Sequence, residues 1–125
     1  MPDKKYRLIT RADFDGVVCG SLFQELDMIE DVAFAEPGDM QAGRVAVTGR
    51  DITANLPFVE GVHLCFDHHA SETQRVADRP NRIIDSAAPS AARVVYNHFG
   101  GKKGFPAISD DLIKAVDQAD SADYS

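Results

Sequence analysis

Two short clusters in this sequence join residue types that hold metals and move protons. Asp13-Phe14-Asp15-Gly16 sets two carboxylates one residue apart, and Asp67-His68-His69 sets a carboxylate beside two imidazoles. Carboxylate and imidazole together suit Mn²⁺, Fe²⁺ or Zn²⁺. Two acids so spaced can reach two different ions, and Gly16 permits a tight turn with close backbone approach. In the second cluster the acid can also orient a neighbouring imidazole rather than ligate directly. Asp51, in Gly49-Arg50-Asp51, is a third carboxylate that follows an apolar run. A solvated turn would explain any of these segments alone. Three of them, each placed after a strand, argue for a common site.

The elements that must bring them together can be read from patterning. A β-rich run at 6–10 predicts strand one, and Val17, Val18, Leu22, Leu26 and Ile29 recur at helical spacing, predicting a helix over 16–30. Residues 31–35 read as strand two, Glu36-Pro37-Gly38-Asp39 as a turn and 44–48 as strand three, ending at Asp51 after a short turn. A loop over 52–61 leads to strand four at 62–66, an almost wholly apolar run of the kind buried in parallel sheets, which runs into Asp67. Strand five is 82–84. Ser90 caps a helix to about 99, 100–104 is a surface loop without phosphate-loop spacing, and Ser109 caps a last helix. Strands alternating with crossovers predict an α/β fold, a doubly wound and mainly parallel five-stranded sheet flanked by helices. In such sheets ligands bind outside the carboxyl ends of the strands, where these acids are expected to converge. The helix after strand one would point its N-terminus at the same place, a favourable position for a phosphate.

Composition narrows the setting. The 125 residues carry 20 acidic against 13 basic side chains, a formal charge of −7, with no basic stripe, which disfavours broad binding to duplex nucleic acid. Apolar residues at 44% suffice for one core in one domain. Cys19 and Cys65 lie in apolar runs and read as buried thiols, not a disulfide framework. The polar start, 1–6, lacks the apolar stretch of a signal peptide, and no run is long enough to span a bilayer. The expected location is cytoplasmic, with no membrane partner.

On the residues ADFDG at 12–16 and FDHH at 66–69, in that order, the chain resembles the DHH phosphoesterases, whose members include exopolyphosphatases and oligoribonucleases. The likeness covers nearly the whole chain, so 1–125 is expected to be the catalytic domain, ending at Ser125 without the usual C-terminal substrate-binding domain. The resemblance implies hydrolysis of phosphodiester or phosphoanhydride bonds by a metal-activated water. It implies a divalent cofactor, Mn²⁺ before Mg²⁺, Co²⁺ or Fe²⁺. Its second motif, an acid after an inner strand, falls on Asp51. Its fourth, an Asp near a helix end, falls on Asp120, with Asp117 as runner-up. Asp13 and Asp51 would then hold one ion, and Asp15, Asp51, His68 and Asp120 the other. His69 would meet the substrate phosphate, Asp67 would support the histidines, and Arg11 could add a phosphate contact. Partners would be a phosphorylated small molecule, polyphosphate or a short oligonucleotide.

Ile9 departs from the pattern, since the family usually has a histidine there, and the ion at Asp13 would lose a ligand. Two other readings compete. DFDGVV is similar to the opening of haloacid-dehalogenase-like phosphatases, which would make Asp13 a nucleophile, but FDHH is then unexplained. The missing histidine also fits a metal- or nucleotide-binding module with weak or no catalysis.

Overall fold

The computed structural model describes residues 5–68, 81–85 and 87–122, excluding the side chains of 121 and 122. Five strands, β1 (Tyr6–Thr10), β2 (Ile29–Phe34), β3 (Asp51–Ala54), β4 (Leu64–Asp67) and β5 (Arg82–Ile84), form one sheet in the order β2-β1-β3-β4-β5, with every pairing parallel. Among the described residues the α-helices are α1 (Phe14–Glu25), α2 (Pro37–Gln41), α3 (Ala91–His98) and α4 (Asp110–Ala122). The expected α/β fold with a five-stranded sheet and flanking helices is the fold observed.

The two faces of the sheet have separate cores because side chains alternate along each strand. Leu8, Ile52 and Phe66 pack with Val18, Leu22 and Phe23 of α1, Val94 and Val95 of α3, and Ile113 and Val116 of α4. Ile9 points to the opposite face, into a smaller cluster with Met40 of α2 and Leu56. Burying a side chain of this size stabilises by roughly 1.5–3 kcal/mol, so both faces resist sliding of the strands. Val17, expected on the buried side of α1, is instead exposed.

One strand lies elsewhere than the patterning predicts. Residues 44–48 form no strand, and β3 is Asp51–Ala54, inside the expected loop. Val45 and Val47 still cover Ile9, Met40 and Leu56, so their alternation records a buried coil segment packed on the sheet. The correction moves Asp51 from the carboxyl end of a strand to the amino end of one.

Candidate functional site

The carboxyl end of β1 leads directly into the first acidic cluster. Thr10 is fully buried, and its hydroxyl bonds to the carbonyls of Ala54 (3.0 Å) and Gly16 (3.4 Å), tying β1, β3 and the start of α1 together. Asp13 caps α1, accepting from the Gly16 N–H at 2.8 Å. A Cβ at Gly16 would stand 1.9 Å from the Arg11 carbonyl oxygen, so only glycine allows this turn. That cap also occupies part of the helix N-terminus expected to face a phosphate.

Asp15 is 2% exposed and reaches the start of α3, where its two oxygens accept from the N–H groups of Ala91 (2.9 Å) and Ala92 (2.8 Å). These are orphan donors of a helix terminus, and the dipole there favours a carboxylate. Burial outweighs that help. Desolvation raises the Asp15 pKa from 3.8 to about 6, the two N–H groups oppose it, Asp120 adds to the rise and His68 subtracts from it.

His68 follows β4 and is also buried. Its Nδ1 lies 3.2 Å from the Ala88 carbonyl oxygen, which can only accept, so Nδ1 carries the proton. Nε2 then faces Asp120 Oδ2 at 2.8 Å and Asp15 Oδ2 at 3.9 Å. Ligand atoms of Asp15, His68 and Asp120 all lie within 4.8 Å of one another. With a neutral imidazole, three lone-pair donors converge there, and that donor set fits a divalent ion. A carbonyl fixing the far nitrogen is the usual device for presenting a histidine to a metal. A cleft of about 230 Å³ lined by Asp13, Phe14, Asp15, Ala119 and Asp120 opens beside the cluster.

The other expected site residues fall as follows. Asp117 is bound by Ser90 Oγ (2.7 Å) and by Arg93 through Nε (3.1 Å) and Nη2 (2.7 Å), a clamp between α3 and α4, so Asp120 is the acid of α4 that joins the cluster. Asp67 is buried at the end of β4. Arg11 Nε lies 3.6 Å from Asp13 Oδ2, with the guanidinium partly exposed. His69 lies outside the described residues. Asp51 is not brought to this end of the sheet. It receives a two-point contact from Arg7 (2.8 and 3.1 Å) and the Thr48 N–H (2.8 Å) at the amino end of β3, and this pairing raises the Arg7 pKa. The expected sharing of ions by Asp51 with Asp13, Asp15, His68 and Asp120 therefore has no geometric basis.

The polar residue that the structure does place at the site end of β3 is Asn55. It follows Ala54 at the carboxyl end of β3, is 2% exposed, and its amide nitrogen lies 3.2 and 3.4 Å from the two oxygens of Asp13. Reading β3 one segment too early hid it. The signal was Ile52-Thr53-Ala54 ending on a polar residue that tolerates a turn. The backbone groups of Ala88, Ala91 and Ala92 leave no side-chain signature. Outside the site, His63 stacks on Tyr6, and burial pushes the Cys19 thiol well up, which keeps it protonated.

The chain is similar to the solved structure of a pGpG-specific phosphodiesterase, PggH from Vibrio cholerae, with 50% sequence identity over 97% of this chain and a TM-score of 0.86. It spans 38% of the length of that protein. No family model and no curated protein matches the chain. Among the described residues, no helix is long and apolar enough to cross a membrane. The likeness does not favour the haloacid-dehalogenase reading, and Asp13 is engaged as a helix cap.

Proposed function

We propose that this chain is the catalytic domain of a metal-dependent phosphodiesterase of the DHH type, acting on a short linear oligonucleotide such as a dinucleotide. The convergence of Asp15, His68 and Asp120 beside an open cleft carries the reading, and 50% identity to a pGpG-specific phosphodiesterase supports the substrate class. Asp15, Asp120 and His68 Nε2 would hold the ion, Mn²⁺ by preference. A divalent ion bound there supplies a nucleophilic water at neutral pH and neutralises charge developing at phosphorus. Ala88 keeps His68 in the ligating tautomer, and the α3 N-terminus keeps Asp15 aimed at the site.

Arg11 and His69 would meet the substrate phosphate, and Asp67 would support the histidines. Phe14, 46% exposed at the mouth of the cleft, offers a ring face on which a base can stack. The acidic surface argues against duplex nucleic acid. Two free, buried cysteines suit a reducing cytoplasm.

Hydrolysis of pGpG to GMP with Mn²⁺, followed by chromatography beside Mn²⁺ calorimetry, tests the reading. We expect wild type to bind Mn²⁺, Asp15→Ala to lose that binding, and hydrolysis to follow the same pattern. Absence of Mn²⁺ binding in wild type, or equal hydrolysis in both proteins, would overturn it.

A further inference from the structure

Single exposed apolar side chains are ordinary on a protein surface, but here they gather. Among the described residues the large hydrophobic side chains left exposed are Phe14, Val17 and Phe34. Phe14 and Val17 stand three apart on α1 and share a face of that helix. Val32 pairs with Leu8 and Phe34 with Thr10, so both side chains of β2 lie on the α1 side of the sheet, where Leu8 meets the core. A groove of about 230 Å³ runs between α1 and this edge strand. Val17, Val32 and Phe34 wall it, Ser21 and Gln24 stand further along it, and no charged side chain of the described residues lines it. Gly20 forms its floor. A Cβ at Gly20 would meet Leu8 Cδ2 at 3.8 Å, an ordinary contact, so packing would accept alanine. Glycine inside a helix is less stable than alanine. What the missing side chain leaves is room in the groove.

We propose that this groove seats the second base of the substrate, a purine, with the phosphodiester left over Asp15, His68 and Asp120. The inference rests on the proposed function above. Phe14 lines the acidic cleft and Val17 the groove, so the two openings adjoin along α1. A helix rises about 1.5 Å per residue, which puts Ser21 about 9 Å from Asp15 along the axis, within the reach of one nucleotide. The acidic cleft offers one ring, Phe14, among carboxylates and Ala119, so a second base has no seat there. Charge selects which part of a nucleotide fits the groove. Without cations it gives a phosphate no counter-charge, whereas a neutral base gains by leaving water for Val17, Val32 and the Phe34 ring. The Ser21 hydroxyl donates to the Val17 carbonyl oxygen at 3.4 Å, which leaves its oxygen as an acceptor, and the Gln24 amide carries donors and an acceptor together. A purine edge, with donors and acceptors side by side, matches that pair, and its two rings cover more of the apolar wall than a pyrimidine does. The edge of β2 is blunted against a strand from a second copy. Asp31 Oδ1 already takes the Val32 N–H at 2.9 Å, and Glu30 and Asp31 stand exposed along it.

The experiment titrates metal-free wild type, Gly20→Leu and Phe34→Ser with GMP and with UMP, following the methyl resonances of Val17 and Val32 by NMR. Mn²⁺ affinity is measured beside it by calorimetry, and KM for pGpG with Mn²⁺ present. Leucine fills the groove from its floor, and serine removes the aromatic wall. In wild type, GMP should shift both methyl pairs saturably and bind more tightly than UMP. Each variant should weaken GMP binding by about fivefold or more, the lower end of what losing one base stack costs, and raise KM for pGpG by a similar factor. Mn²⁺ affinity should stay within about twofold of wild type in both, since neither residue belongs to the ion's donor set. Methyl groups unmoved by GMP in a wild type that binds Mn²⁺, or equal GMP binding in all three proteins, would overturn this inference and leave the proposed function standing. Shifts in a wild type that binds no Mn²⁺ would overturn the proposed function, and with it the claim that the seated base belongs to a substrate. Shifts that follow protein concentration instead of GMP would give the groove to a second copy and overturn the inference. Should Gly20→Leu fail to fold, Phe34→Ser alone still decides, because Phe34 is exposed and outside the core.

Discussion

The two ends of the sheet use the same residue types to opposite effect. At the amino end of β3, Asp51 meets Arg7 in a two-point contact and also takes the Thr48 N–H, so its charge is matched where it lies. At the carboxyl end, Asp15 and Asp120 share one small volume with His68, whose Nε2 lies 2.8 Å from Asp120 Oδ2, and burial lifts the Asp15 pKa to about 6. The first arrangement is complete in itself and stabilises the fold. The second concentrates like charge out of water, an arrangement that a bound cation would stabilise. A carboxylate's residue type is therefore uninformative until its end of the strand is known.

The sharpest way to break this contrast is to truncate one residue at each end. His68→Ala should lower Mn²⁺ affinity on the order of 100-fold or more, since it removes one of three converging donors. Asp51→Ala should leave Mn²⁺ affinity within about twofold, yet cost about 2–4 kcal/mol of stability through the lost charged hydrogen bonds. Calorimetry and urea denaturation on both variants read the two effects. An Asp51→Ala protein that loses Mn²⁺ while keeping its stability would exchange the roles of the two ends.

A second test sharpens the electrostatic half of the comparison. The folded-state pKa of Asp15 is raised, so the ionised form is disfavoured by folding. Below about pH 4 the group is protonated in both folded and unfolded chains and costs nothing. Between about pH 4 and pH 6 the unfolded chain gives up this proton while the folded chain keeps it, so stability falls across that window by about 3 kcal/mol in all and levels off once the folded group ionises. Metal-free wild type should therefore lose stability relative to Asp15→Asn between pH 4 and pH 7, by up to that amount. Mn²⁺ at neutral pH should restore wild type and not the variant. A wild-type-minus-variant difference that stays constant across this range would mean that Asp15 is well solvated.

Much of this is legible in the sequence. The alternation of short apolar runs with helical spacing carries the parallel sheet, because buried strands and one-faced helices leave different periods. ADFDG and FDHH mark two strand ends, and Asp15 and His68 do meet. Two things were not legible. Val45 and Val47 alternate like a strand because they are buried like one, and only the pairing partners of β1 show that Ile52 and Thr53 hold that position. That single displacement assigned Asp51 to the carboxyl end of the strand, where Asn55 follows Ala54. The choice between Asp117 and Asp120 needed the tertiary structure, since three positions along α4 separate an acid held by Arg93 from one facing His68.

The smallest expected effect concerns Ile9, which lies near the same strand end as the acids but on the other face of β1. The family resemblance suggests that a histidine there would add a ligand. The structure assigns the position to the apolar layer, with Ile9 1% exposed against Met40 and Leu56. Alternation along a strand leaves no compromise, because a side chain cannot change face without shifting register, and β1 is paired on both sides. Ile9→Val should thus cost only about 1 kcal/mol, the usual loss of one buried methyl group, with Mn²⁺ affinity unchanged. Ile9→His should cost more, since an imidazole would be buried without a partner, and it should bring no gain in Mn²⁺ affinity. Thermal denaturation and calorimetry on the two variants separate the alternatives. Tighter Mn²⁺ binding in Ile9→His would place residue 9 on the acidic side of the strand and undo the division of faces on which the site assignment depends.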